Sequence, residues 1–108
     1  MLTDRLWGGS LDRIVFDVTA QTLSLFVTVS DGDESNRHEL RLSEVSQFQF
    51  VNAIPSPWDY AEPTELHFHE DASADQWLFE ILLWSEDASL SGRCRAVTVD
   101  GTDLTPRE

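Results

Sequence analysis

Residues 12–29 read Asp12-Arg13-Ile14-Val15-Phe16-Asp17-Val18-Thr19-Ala20-Gln21-Thr22-Leu23-Ser24-Leu25-Phe26-Val27-Thr28-Val29, and their period decides the fold class. Ile14, Phe16 and Val18 fall on one side of an extended chain, with Arg13 and Asp17 on the other. Thr19-Ala20-Gln21-Thr22 makes a short connection. Leu23, Leu25, Val27 and Val29 then alternate with Ser24, Phe26 and Thr28. A period of two over both runs predicts two strands, each with one buried face, joined as a hairpin.

The same reading extends in both directions. Upstream, Trp7 and the Gly8-Gly9 break form a lead-in with a turn before the first strand. Downstream, Ser30 to Asn36 is polar and carries Asp-Gly turn chemistry, which predicts a solvated loop. His38, Leu40 and Leu42 mark a third strand; Phe48 and Phe50 continue in a new phase after a kink. Glu65, His67 and His69 alternate with Leu66 and Phe68, and an acidic turn follows at 70–75. Residues 77–84 are apolar on both faces apart from Glu80, which predicts a central strand covered on both sides. In the last strand, Leu90, Gly92 and Cys94 keep one phase and Val97 and Val99 the other, so a bulge is expected near Arg95-Ala96.

The expectation is an all-β, single-domain antiparallel sandwich or partly open barrel of about seven strands. It covers residues 1–108, with 1–10 a lead-in and 102–108 a tail, both loosely ordered. At 108 residues one core is sustainable without staples, and 41% hydrophobic content argues against disorder. Cys94 is the single cysteine, so no intrachain disulfide can form and a reducing compartment is the natural setting. No run approaches the ~20 apolar residues that span a bilayer, and Met1 to Gly9 lack a secretory pattern, so a cytoplasmic protein is expected.

Charge narrows the class of partner. The formal net charge is -13, with 20 acids against 7 bases, every base an arginine. No Arg or Lys lies between Arg41 and Arg93, whereas Glu44, Asp59, Glu62, Glu65, Glu70, Asp71, Asp75, Glu80, Glu86 and Asp87 do. Such a field repels nucleic acid and anionic membrane and attracts a basic protein partner. Asn52 to Pro63 interrupts the alternation with three prolines, which fix φ and remove backbone donors, around Trp58, Asp59 and Tyr60. A stiff aromatic loop suits binding, because its side chains lose little entropy on docking. The expected contact residues are therefore Trp58 and Tyr60 as anchors, with Asp59, Glu62, Glu65, Glu70 and Asp71 as acids pairing with the partner.

Catalytic chemistry is not assembled. Cys94 sits in an apolar strand phase, no G-x-S-x-G elbow is present, and Gly8-Gly9-Ser10 lacks a phosphate-binding context. No enzyme activity and no cofactor are expected. The alternative is a metal- or small-ligand-binding β domain, since Glu65, His67 and His69 share one strand face and suit zinc or iron. Cupin barrels open their metal site with the same His-x-His spacing, but their next acidic ligand would fall at Ser73 and their glycines are missing. A homo-oligomer that pairs strand edges is a third expectation.

Gly-Gly-Ser-Leu-Asp-Arg-Ile at 8–14, Asn-Ala-Ile-Pro-Ser-Pro-Trp-Asp-Tyr at 52–60 and Leu-Leu-Trp-Ser-Glu-Asp-Ala at 82–88 give a resemblance across most of the chain. It resembles small bacterial β proteins of the YxiG-like type and immunity proteins of polymorphic toxin systems. The resemblance implies a cytosolic protein that binds and neutralises a toxin domain, and it brings no catalytic residues.

Overall fold

A computed structural model of the chain describes residues 5–6, 8–52, 62–83 and 88–104. Alternating side chains put one face of each extended run into a shared interior, and the strands follow from that requirement. They are β1 (Ser10–Asp17), β2 (Thr22–Asp31), β3 (Glu34–Ser43), β4 (Gln47–Asn52), β5 (Pro63–Asp71), β6 (Gln76–Leu83), β7 (Ala88–Cys94), β8 (Ala96–Val99) and β9 (Thr102–Asp103). The first sheet has the order β1-β2-β3-β8-β9 and the second β4-β7-β6-β5, with every neighbouring pair antiparallel. The sheets do not close into a barrel. They bury one core between them: Leu23, Leu25, Leu40, Leu42, Val97 and Val99 from one side, Trp77, Phe79, Ile81, Leu83 and Leu90 from the other. This is an antiparallel β-sandwich.

The predicted first hairpin is present, with Ile14 opposite Leu25 and Phe16 opposite Leu23. Val18 is not a strand residue; it stands in the connecting turn and is exposed. That turn and the one joining β5 to β6 share a plan. Asp17 Oδ1 accepts from the Ala20 N–H (3.0 Å) in one, and the Asp71 carbonyl accepts from the Ala74 N–H (3.2 Å) in the other. Gln21 and Asp75 end them at φ 58° and 54°.

Four sequence expectations are corrected. The polar run 30–36 is strand rather than loop except at Gly32-Asp33, because Asp31 pairs with Glu34 across a two-residue turn. Gly32 supplies its positive φ (+65°) at the first central position, which suits a tight hairpin. β6 is central, and among the described residues a second layer covers its inner face alone: Trp77, Phe79, Ile81 and Leu83 are buried, while Leu78 and Leu82 are half-buried on the outer face. The phase change near Arg95 is a change of sheet rather than a bulge, with β7 in one layer and β8 in the other. The strands number nine among the described residues, against about seven expected.

The chain changes layer a second time between β3 and β4, where Glu44 adopts φ 53°. The two crossings lie side by side. Arg95 N–H donates to the Ser43 carbonyl (3.0 Å) and Ser46 N–H to the Arg93 carbonyl (3.0 Å), so the β3–β8 ladder turns the corner into β4–β7. Beside this corner Gly92 is in register with both Phe48 and Phe79, and β4 presses close against it.

The described ends of the chain are anchored. Leu6, inside the expected lead-in, is fully buried, and Gly9 N–H donates to its carbonyl (3.2 Å). Leu104 is buried and its N–H donates to the Val97 carbonyl (2.8 Å). Between them Asp100 and Gly101, both at positive φ, form the two-residue turn that brings β9 against β8.

Candidate functional site

Strand register sorts the charged side chains onto two outward faces. On β5 the residues Glu65, His67, His69 and Asp71 share the outer face of the second sheet, because Leu66 and Phe68 point to the core. Register then sets Glu80 of β6 beside His67 and Ser91 of β7 beyond it. Glu65 and Glu80 are exposed, and Glu65 Oε1 lies 2.9 Å from His67 Nε2. Asp71 is committed elsewhere: it accepts from the Ser73 hydroxyl (2.8 Å) and from Arg93 (3.3 Å). Those two hydrogen bonds, Ser73 first, hold its carboxyl below the ordinary carboxylate value.

Arg93 thereby uses its charge within the sheet. The other strand arginines lie on the opposite layer, where Arg13, Arg37 and Arg41 alternate with inward residues of β1 and β3. Arg13 stacks over the Phe26 ring, 4.9 Å from its centroid. One outer face thus mixes Arg13, Arg37 and Arg41 with Asp17, Glu39 and Asp103, whereas the other presents Glu65 and Glu80 with its strand arginine, Arg93, already paired.

The sequence-expected contact residues divide accordingly. Trp58, Asp59 and Tyr60 lie outside the described residues, as do Trp84, Glu86 and Asp87. Glu62 is half-buried just ahead of β5. Glu65 and Asp71 are on the outer face, whereas Glu70 is in register with the buried Trp77 on the other side of β5. Glu65, His67 and His69 do share a face, but no group of three His, Cys, Asp or Glu side chains among the described residues is arranged to hold a metal ion.

A pair that sequence reading missed lies at the other end of the first sheet. His38 Nδ1 is 2.7 Å from Asp100 Oδ2, Glu39 N–H donates to Asp100 Oδ1 (2.9 Å), and Arg5 approaches Oδ2 at 3.5 Å. Burial pushes the Asp100 carboxyl up, but the bonds from His38 and Glu39 and the charges of His38 and Arg5 outweigh it and hold the carboxyl low. A carboxylate orienting an imidazole is half of a nucleophilic constellation. No hydroxyl or thiol partner to His38 completes it among the described residues, and Cys94 is sealed in the core, where burial pushes its thiol up to about 12. The cluster acts as a clasp, fastening the Asp100 turn and Arg5 to β3. The Asp100-Gly101 dipeptide is a hairpin signature that marks the β8–β9 turn, but nothing in the sequence sets it beside β3.

The fold and the composition define an acidic antiparallel β-sandwich with carboxylates exposed on both layers. No family model and no curated protein matches the chain. Among the described residues no helix is long and apolar enough to cross a membrane.

Proposed function

We propose that this chain is an acidic protein-binding module that occludes a basic surface of its partner. The contact surface is the outer face of the second sheet, with Trp58 and Tyr60, outside the described residues, as the expected anchors. The carrying observation is that this face offers carboxylates with no free strand arginine among the described residues: Glu65 and Glu80 stand exposed there, and Arg93 is already taken by Asp71. A net charge of -13 steers a cationic partner from a distance and repels nucleic acid and anionic lipid. The likeness to toxin-immunity proteins narrows the partner to a toxin domain whose basic surface holds phosphate. Neutralisation then needs no chemistry from this chain, only coverage of that surface.

Capture from a native lysate with the wild-type chain and with the doubly reversed Glu65→Arg/Glu80→Arg variant tests the proposal. The wild type retains a basic protein that the variant loses, and its association rate falls steeply with added salt. Retention of the same protein by both chains, or a rate indifferent to salt, refutes the assignment.

A further inference from the structure

The second inference concerns the opposite layer and is independent of the proposed partner. The two sheets have four edges, and two carry features that discourage pairing. β9 is two residues long. β5 presents Glu65, Glu70 and Asp71 and has an irregular register between Pro63 and Glu65. β4 exposes Phe50 (49%) and Val51 (47%) and is as open as β1, but it carries no charge, so nothing on it specifies a register. β1 differs: it is eight residues long, its register with β2 is regular from Arg13 to Asp17, and Val15 and Phe16 on it are 41% and 40% exposed. No described strand pairs with its outer edge.

The geometry points to a second copy of this chain as the occupant of that edge, joined β1 to β1 about a two-fold axis at Val15. The support is self-complementarity. Antiparallel pairing centred on Val15 sets Arg13 of each copy opposite Asp17 of the other, twice by symmetry. On the outer face those charge pairs flank Val15 against Val15. On the inner face the same register sets Ile14 opposite Phe16, extending the apolar row that already meets Phe48 at 5.4 Å between ring centroids. Shifting the register by two residues at either end loses the charge match, because β1 carries Asp12 and Ser10 beyond Arg13. The register irregularity between Leu11 and Arg13 ends the ladder there, so pairing stays confined to residues 13–17. The product is one sheet continuous through both copies, with the carboxylate faces of the two second sheets left open.

Sedimentation equilibrium of the full chain over a concentration series tests the proposal, with stability followed by circular dichroism. The expected mass rises from the 12.3 kDa monomer towards twice that value, and added salt strengthens association because both copies are strongly acidic. Arg13→Asp or Asp17→Arg alone sets like charges opposite one another at two places and weakens the dimer about tenfold. The double swap Arg13→Asp/Asp17→Arg restores the match and binds about tenfold more tightly than Asp17→Arg, which shares its loss of the Asp17–Ala20 turn bond. Val15→Lys, an exposed substitution that leaves the interior alone, abolishes dimerisation by meeting itself on the axis. A monomer at every concentration overturns the inference. So does a dimer indifferent to Val15→Lys, or a double swap as weak as Asp17→Arg alone. Since salt strengthens this contact and weakens binding to a basic partner, failure of one reading is distinguishable from failure of the other.

Discussion

Replacing Gly92 by alanine adds one methyl group at the tightest point of the sandwich. Its Cβ would stand 1.9 Å from the Gln47 carbonyl oxygen, 2.7 Å from the carbonyl carbon and 2.9 Å from Phe79 Cζ. The Phe79 ring can tilt away, but Gln47 offers backbone. Moving from 1.9 Å to the 3.4 Å of ordinary contact makes β4 retreat by about 1.5 Å. That retreat lengthens the Ser46–Arg93 bond (3.0 Å) at the corner and pulls Phe48 from Phe16. Overpacking against a rigid wall costs about 2 kcal/mol and the corner bond about 1 more. A loss of about 3 kcal/mol lowers the melting temperature of a domain this size by about 15 °C. Gly101→Ala is the matched control: nothing lies within 4 Å of its Cβ, and only its φ of +84° opposes a side chain. That should cost about 1 kcal/mol. Thermal melts of both variants decide the matter. If Gly92→Ala melts with the wild type, or above Gly101→Ala, the account of the corner is wrong.

Three further outcomes follow from the same interior. Leu6→Ala should destabilise by about 3 kcal/mol in denaturant titration, because Leu6 is fully buried despite lying ahead of the first strand. The Cys94 thiol, pushed up to about 12 by burial, should stay unreactive towards a thiol reagent at neutral pH until denaturant is added; prompt labelling of the native chain would contradict its placement. Asp100→Asn should cost about 1 kcal/mol at neutral pH. The Asp100 carboxyl is held below its ordinary 3.8, so its contribution is present above that value and is lost as pH falls through the lowered one. Thermal melts in acid should therefore converge for wild type and variant, and a gap that persists there would refute the clasp.

Much of the framework was legible because a period of two is unmistakable where one face is buried and the other wet. β1, β2 and β5 show it plainly, and so does the shared face of Glu65, His67 and His69. The first half of β3, Glu34 to Arg37, is exposed on both sides, so no alternation betrays a strand there. At Arg95 the phase shift of a bulge and that of a change of layer look alike in sequence, and it is the pairing of β8 with β3 that separates them. Leu6 and Leu104 lie outside any alternating run, with no periodic pattern to mark them as core. Of the expected acidic surface, Glu65 was readable from strand phase. The capture of Asp71 by Arg93 and of Asp100 by His38 depends on partners 22 and 62 residues away, a distance that composition and spacing do not bridge.

The unbroken run of backbone bonds around the corner gives the molecule a spine. One layer cannot swing open like a book cover while the other stays shut, because the first amides to part would be those of Ser46 and Arg95, which belong to both. Breathing motions should therefore start at the far margins, and deuterium should enter the spine only when the whole domain comes apart.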